Sequence, residues 1–399
     1  MKVLLVSEPG VDGVFRFVES LAHFLVAQHV EVHLAYSNRR GSDRLQHLVG
    51  FVEAHGGRTF NLATGNGPAF SDLRAFQGLR RLVRLVQPDI IHSHSSKAGV
   101  LARALKACGV DIPQVYQPHA YAGMRPQSGI TRHFYDSVER VLGRWSTTIN
   151  ISSAEFAYAL GRLKLPVGRA VWLTNGIDTD HFRPATPEEK IALRQRLGLP
   201  PRARVLGVMG RAAQQKDPLT TYRAFADALI TDPNLVLLHV GRGELDPEID
   251  RFIADHNLQQ CIIRIPYLST PVDFYRAIDG FILTSLYEGM SLAALEALAC
   301  DLPLIVSDAP GNSELSKLPL SHLWLAPIGD VAAFSRAILE WAAGRSTPST
   351  HRTCATWHFD SQQTYRNILA VYHRLRDSDT PERIPVRPLT ARPHSPGNA

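Results

Sequence analysis

The sequence predicts an α/β chain folded as two parallel-sheet domains of similar size, and three observations predict it. At 399 residues the chain is too long for one ordinary core, and a hydrophobic content of 45% is ample to bury two. Near the N-terminus an apolar run, a glycine-bearing turn and an amphipathic helix are followed by a second apolar run at the spacing of a β-α-β unit. The same alternation restarts at Val205 to Met209, beyond a turn-rich stretch.

Composition removes several classes of function. Cys108, Cys261, Cys300 and Cys354 lie far apart without a Cys-x-x-Cys pair, which argues against a zinc site and a disulfide framework and fits a reducing cytoplasm. The apolar run Val3 to Val6 is too short for a signal peptide, and no stretch of 18 successive apolar residues is present to span a membrane. The net charge of +6 is uneven: residues 1–175 carry 20 Lys+Arg against 12 Asp+Glu, residues 176–399 carry 23 against 25. Without basic-aromatic interleaving, finger spacing or a helix-turn-helix, nucleic acid is not the expected partner. An anionic membrane surface, an acceptor bearing a lipid diphosphate, and scattered solvated charge all remain open.

Lys2 to Val6 reads as the first strand, Glu8 to Gly13 as a turn feeding a helix with Phe17, Leu21, Phe24 and Leu25 on its apolar face, and Val30 to Ala35 as the second strand. Gly10 and Gly13 do not make Gly-x-Gly-x-x-Gly, so a dinucleotide is not expected. Asp72 to Val86 reads as a surface helix with Arg74, Arg81 and Arg84. A strand ends at Pro88 to His94; His92 and His94 share a face, yet third and fourth metal ligands are missing nearby. Ser95 to Gly99 then opens a helix whose amides and Lys97 make a positive end. Val115 to His119 reads as a strand ending in a loop, which places His119 where open α/β sheets bind ligands, though a core histidine bonded to backbone would look the same. The helix from Ile130 to Trp145 has Phe134, Val138, Val141 and Trp145 on one face; that face is assigned to the core, so no membrane insertion is expected of it.

In the second half, the strand Val205 to Met209 runs into Gly210-Arg211, and Lys216 follows before Asp217-Pro218 opens a helix. Arginine offers a fork and lysine a compact charge to phosphate oxygens, a pair suited to a diphosphate. Strand Leu235 to Val240 ends at Gly241-Arg-Gly243. Phe281 to Leu283 is a short buried strand, and apolar residues recur at helical spacing from Ser291. Between them stands Tyr287-Glu288-Gly289, followed by Met290 and Ser291, whose amides are expected to point from the helix N-terminus toward an anion. Glu288 beside that anion site is read as an acceptor for hydroxyls, and Glu296 lies on the second turn of the helix. Phosphate with hydroxyls means a nucleotide sugar; the bland alternative is an amphipathic helix with a solvated glutamate at each end. Asp178-Thr-Asp180 and Asp377-Ser-Asp379 match a metal-binding Asp-x-Asp pattern but lie in a linker and in the tail, and are read as structural.

The pair Glu288-x7-Glu296, preceded by Gly210-Arg211-x4-Lys216 and by Asn175-Gly-Ile-Asp178 with Phe182-Arg-Pro184, resembles the signatures of family 4 retaining glycosyltransferases. The segment Ser95-Ser-Lys-Ala-Gly99 resembles the bacterial members of that family that build exopolysaccharide, capsule and O-antigen. The resemblance covers roughly residues 1–376. It implies the GT-B architecture, two Rossmann-like domains facing a cleft: residues 1–175 as the acceptor-side domain, 176–200 as linker, 201–350 as the nucleotide-sugar domain, 351–376 as a helix returning to the first domain, and 377–399 as a disordered tail.

Function is implied at the level of class. A hexosyltransferase-like enzyme moves a sugar, with retention, from a nucleoside diphosphate sugar to a hydroxyl of a glycan or a polyprenyl-diphosphate-linked acceptor. It would work in the cytoplasm, at or near the inner face of the membrane, where the basic N-terminal domain can meet anionic lipid. No cofactor and no metal are expected. His119, Arg211, Lys216 and Glu288 are the implied catalytic residues. The donor is implied to lie on Gly13, Gly210, Arg211, Lys216, Gly241, Gly243, Glu288, Gly289, Met290, Ser291 and Glu296, with Glu288 on the sugar, Glu296 on the ribose and His119 reaching the sugar. With no enzymatic nucleophile in evidence, the family's favoured mechanism is front-face attack by an acceptor deprotonated by the donor's own phosphate. Two departures stand out: Ala120 follows His119 where the family has glycine, and Pro310 replaces a glycine before Gly311-Asn-Ser-Glu314. A non-catalytic nucleotide-sugar-binding subunit and a GT-B epimerase or hydrolase are the rival readings.

Overall fold

The structure, a computed structural model, describes residues 1–10, 12–39, 41–65, 71–344 and 349–377. The expected tail, 377–399, lies outside them except for Asp377, which ends the final helix. The chain divides into two compact units, the first holding residues 1–174 and the final helix, the second holding 175–361.

In the first unit strands and helices alternate: β1 (Lys2–Ser7), α1 (Asp12–Ala27), β2 (Glu31–Tyr36), α2 (Asp43–Ala54), β3 (Thr59–Asn61), α3 (Ser71–Val86), β4 (Ile90–His94), α4 (Ser96–Ala107), β5 (Gln114–Gln117), α5 (Gly129–Leu142), β6 (Thr147–Asn150), α6 (Ser153–Ala157) and β7 (Ala170–Trp172). All seven strands are parallel, in the order β3-β2-β1-β4-β5-β6-β7. The two-residue period of β1 explains why a parallel strand must be apolar throughout: Val3 and Leu5 join the core with α1 and α2, while Leu4 and Val6 join the core with α3 and α4.

The second unit repeats the plan with α7 (Pro187–Arg196), β8 (Arg204–Met209), α8 (Pro218–Thr231), β9 (Leu235–Val240), α9 (Asp246–Asp255), β10 (Ile262–Ile265), α10 (Pro271–Ala277), β11 (Gly280–Leu283), α11 (Leu292–Ala299), β12 (Leu304–Ser307), β13 (Leu323–Ala326), α12 (Val331–Ala343) and α13 (His351–His358). Its order is β10-β9-β8-β11-β12-β13, again all parallel. In both sheets the order reverses beside the first strand, between β1 and β4 and between β8 and β11. That is where a doubly wound sheet leaves room for a ligand at its carboxyl edge.

Three expectations need correction. Residues 176–200 are not a free linker: α7 begins with a capping box between Thr186 and Glu189, and Lys190 and Arg194 both pair with Asp279 of the second unit. Residues 351–376 are not one returning helix. Only α14 (Ser361–Asp377) joins the first core, through Tyr365, Ile368, Val371 and Tyr372, whereas Arg352 of α13 ties to carbonyls of Thr179, Phe182 and Ala299. The third concerns α5, whose apolar face was assigned to the core. Instead Asp136 and Glu139 are its buried residues, while Ile130 is 86% exposed and Phe134 61%. The inversion has a cause in the neighbours: Glu139 meets the fully buried Arg103 at 2.8 Å and the Tyr116 hydroxyl at 3.0 Å, and Asp136 accepts from Arg162 at 2.8 Å and from Tyr158. A buried arginine needs a carboxylate more than the core needs another side chain.

Candidate active site

In the second unit, the loops leaving β8 and β11 meet at the sheet reversal. Beyond β8 the chain passes Gly210 and the exposed Arg211 into a short 3-10 turn, Gln214–Lys216, and Asp217 takes a left-handed φ of 44° before Pro218 opens α8. Beyond β11, residues 284–288 lie along that turn. The Thr284 hydroxyl donates to the Asp217 carbonyl at 2.7 Å, the Leu286 amide to the Gln215 carbonyl at 2.9 Å, and the Gln215 side chain to the Tyr287 carbonyl at 3.2 Å. This stitching brings the Lys216 ammonium to 2.6 Å from Oε1 of Glu288, a carboxylate 8% exposed. The Ser285 hydroxyl donates to the same oxygen at 2.7 Å. Both contacts fall on Oε1, so Oε2 is left to accept from a ligand hydroxyl, and two of the three ammonium hydrogens of Lys216 are left for an anion.

Helix α11 begins one residue later than the sequence suggests. Ser291 is its N-cap, accepting from the Ala294 amide at 3.4 Å, and Met290 precedes it with its carbonyl held by the Asn175 side chain at 3.3 Å. Met290 and Ser291 are therefore the approach to the helix end and not its first turn, while the end still carries the unsatisfied amides and positive field of any helix start. Glu296 lies one turn in, 1% exposed, and the Tyr275 hydroxyl donates to its Oε2 at 2.7 Å.

The glycines have close backbone neighbours. A Cβ on Gly241, where φ is +140°, would lie 2.0 Å from the Gly210 carbonyl oxygen, and one on Gly243 would lie 2.3 Å from that of Ala212. Their role here is to let the β8 and β9 exit loops nest. Gly311 does the same for Gly289, whose carbonyl oxygen would be 2.3 Å from an added Cβ. The turn forms with Pro310 in place, and Asn312 donates to Ser307, which in turn donates to the Ser285 carbonyl at 2.6 Å.

In the first unit, His119 follows β5, and its Nε2 lies 3.2 Å from Nδ1 of His94 at the end of β4. The Phe17 ring sits edge-on at 5.2 Å from His119. Burial pulls His119 down to about 3 and His94 well below the usual imidazole range, so both rings are neutral at physiological pH. His92 is bound through Nδ1 to the Tyr372 hydroxyl at 2.5 Å. Among the described residues no group of three His, Cys, Asp or Glu side chains gathers as a metal site. Gly13 is the second residue of α1. Lys97 is occupied by Asp72 at 2.8 Å and the Gly65 carbonyl at 2.7 Å. Asp178 accepts from the amides of Asp180 and His181, an Asx turn rather than a metal motif.

Thr284, Ser285, Gln215, Tyr275 and Asn175 escaped the sequence reading as contributors to the site. Thr284 and Ser285 carried a signal, as two hydroxyls closing an otherwise apolar strand; Tyr275 carried none.

Residues 189–354 match the family described as glycosyl transferases group 1, and residues 11–181 match glycosyltransferase family 4. An Escherichia coli UDP-Gal:α-D-GlcNAc-diphosphoundecaprenol α-1,3-galactosyltransferase is 30% identical over 276 residues, 67% of this chain and 70% of that protein. Among solved structures, sucrose-phosphate synthase from Thermosynechococcus elongatus superposes with a TM-score of 0.77 at 18% identity, over 94% of this chain and 98% of that one. HepE from Anabaena, in complex with UDP, superposes with a TM-score of 0.72 at 19% identity, over 93% and 99%.

Proposed function

Starting from a chain that belongs to the family 4, group 1 glycosyltransferases and is itself a glycosyltransferase of GT-B fold, we propose that it transfers a hexose from a UDP-sugar, with retention, to a hydroxyl of a polyprenyl-diphosphate-linked glycan in cell-surface polysaccharide synthesis. The observation that carries the donor assignment is the Lys216–Glu288 pair at the reversal of the second sheet. Lys216 and Arg211 face the diphosphate and, with the α11 end, stabilise the negative charge that grows as the sugar leaves. Glu288 presents Oε2 to the sugar hydroxyls and Glu296 takes the ribose; His119 of the first unit, held neutral, is a hydrogen-bonding group rather than a charge. UDP and the lipid diphosphate acceptor are taken from the E. coli relative, and UDP also from the HepE complex.

Thermal shift against a panel of nucleotide sugars tests the donor, because only a ligand that prefers the native state raises the melting point. UDP release on adding an undecaprenyl-diphosphate-linked sugar tests transfer. A panel in which GDP- or ADP-sugars alone stabilise the protein overturns the base assignment. Charge neutralisation is assigned to Lys216, Arg211 and backbone amides, so transfer persists in excess chelator; loss restored by magnesium or manganese overturns that part.

The membrane contact is assigned to α5. Its exposed Ile130, Phe134 and Val141 fall on one helical face, with the exposed Arg144 in the turn that follows the helix, in a half-chain of positive charge. Phe134→Ser should lower co-sedimentation with anionic vesicles and leave UDP-sugar binding intact. Equal co-sedimentation of both proteins removes α5 from the membrane.

A further inference from the structure

The connection from β5 to the helix turn at Ala122 runs through two consecutive residues with left-handed backbone, His119 at φ 52° and Ala120 at φ 87°. Neither is glycine, and such a pair persists only where its surroundings impose it. One buried side chain holds this loop directly. Glu155, 0% exposed, accepts the Ala120 amide on Oε1 at 2.6 Å and the Ile151 amide on Oε2 at 2.9 Å. Glu155 stands three residues after the N-cap Ser152, whose hydroxyl accepts the Glu155 amide at 3.2 Å. In an ordinary capping box the glutamate at that position turns back to the cap residue's own amide. Glu155 instead spans the neighbouring amide of Ile151 and the loop that carries His119. Among the described residues it forms no ion pair, so its buried carboxylate is satisfied by these two amides alone.

We propose that Glu155 is a positioning residue: by gripping the Ala120 amide it holds the strained His119–Ala120 pair and so fixes the imidazole of His119 against His94 and Phe17. The proposal rests on the glycosyltransferase reading only for its kinetic consequence, because the position of the imidazole can be read without turnover. Burial raises the Glu155 carboxyl to about 7, so the grip loosens as pH falls through neutrality. The titratable group facing it is the Tyr121 phenol, donated to Asn150 at 2.9 Å; beyond Tyr121 lie Tyr116 and the mutually neutralising Arg103 and Glu139.

The test follows the His119 imidazole by nitrogen-15 NMR of histidine-labelled protein, with its resonances assigned by their loss in His119→Gln. Glu155→Gln keeps one acceptor oxygen and should displace or broaden the His119 signals. Turnover of UDP-sugar should fall roughly tenfold, the scale of one lost hydrogen bond to a charged group, while KM for the donor stays near wild type. Adding Ala120→Gly, which removes the cost of the left-handed backbone, should bring the signals and the rate back toward wild type. In the wild type the His119 signals should also drift with a midpoint near neutral pH without imidazolium formation, a drift that Glu155→Gln abolishes. Unchanged His119 signals in Glu155→Gln, or no recovery with Ala120→Gly, overturn the proposal. Where Glu155→Gln fails to fold, Glu155→Asp, whose shorter arm cannot span both amides, takes its place with the same expected displacement. His119 signals that respond as expected in a protein that turns over no nucleotide sugar support the grip and sink the functional reading instead.

Discussion

Lys216 lies 2.6 Å from Oε1 of Glu288, an ion pair between residues 72 positions apart in which the lysine side chain is 21% exposed and the glutamate 8%. Each group sets the other's geometry, and both have hydrogen-bonding capacity left for a ligand. Lys216→Ala should therefore act twice, removing a donor to the leaving diphosphate and leaving Glu288 unpaired. We expect kcat to fall by roughly a hundredfold or more, and Arg211→Ala to do the same. Adding Glu288→Gln to Lys216→Ala should cost less than it does in the wild type, since the pair is already broken. Wild-type initial rates in either single variant would refute the phosphate assignment.

A second prediction concerns the backbone beneath Glu288. A Cβ on Gly311 would stand 2.3 Å from the Gly289 carbonyl oxygen and 2.7 Å from that of Glu288, and neither can move aside as a flexible side chain would. Gly311→Ala should push the Glu288–Gly289 loop out of place and lower turnover by about a hundredfold, the effect expected of a small displacement of a positioning element. Gly50, exposed in α2 with nothing within 4 Å of its added Cβ, is the control. Gly50→Ala should stabilise by up to about 1 kcal/mol through helix propensity and leave turnover alone. Equal rates in both variants would show that the loop is free to shift.

The histidine cluster predicts a pH dependence of opposite sign to that of Glu155. His92, His94 and His119 are held below the ordinary imidazole range, first by burial, then in His92 by the charge of His119 and in His94 by the charges of His92 and His119. Unfolded, each takes a proton below about 6.5; folded, His119 does so only near 3. Their contribution to stability is therefore complete above 6.5 and is lost as pH falls. Glu155, raised to about 7 by burial, works the other way: ionising it makes the grip on the Ala120 amide but buries a charge, so the cost to the fold is absent below about 4.5 and grows as pH rises to 7. Three groups outweigh one between pH 5 and 6.5, so protection of β4 and β5 amides from hydrogen exchange should decrease toward acid. His119→Asn should reduce that slope by one proton, about 1.4 kcal/mol per pH unit. Protection that is flat across the range contradicts the buried neutral cluster.

The extent to which this fold is legible in the sequence depends on what holds each part. Most central strands read clearly because a parallel strand buried on both faces is mostly apolar, as in Val3 to Val6 or Leu235 to Leu238, whereas the short edge strands β3, β7 and β13 and the polar β6 are not legible that way. Helix α5 misled because its 3.6-residue apolar pattern is real yet points outward. The decisive partner, Arg103, lies 36 residues upstream of Glu139, and no local pattern announces a buried arginine. In the site, Lys216 and Glu288 were legible as residue types in motifs. The oxygen that Lys216 and Ser285 share was not, since it depends on two loops lying side by side. Ala120 was noticed only as a departure from a family pattern; its left-handed backbone is what makes the departure costly and what gives Glu155 its task.

The last prediction concerns the division of labour between Glu288 and Glu296. Both carboxylates are buried, but their partners differ: Glu288 is held by a cation and a hydroxyl, Glu296 by the Tyr275 phenol. A contact to the sugar changes as its bond to the diphosphate breaks, whereas a contact to the ribose does not. Glu296→Gln should therefore weaken nucleotide binding and raise KM with kcat nearly kept, the signature of lost uniform binding. Tyr275→Phe, which removes the hydroxyl that orients Glu296, should do the same to a smaller degree. Glu288→Gln should lower kcat instead and leave the affinity for bare UDP close to wild type, because bare UDP has no sugar for Oε2 to hold. Lys216 sharpens the expectation: with Glu288 neutral, its ammonium loses a charged partner and is freer to meet the phosphates, so UDP affinity holds or rises slightly. Calorimetry with UDP and initial rates with donor and acceptor separate the cases. A Glu288→Gln protein that loses UDP affinity while Glu296→Gln keeps it would mean that the two glutamates have exchanged roles.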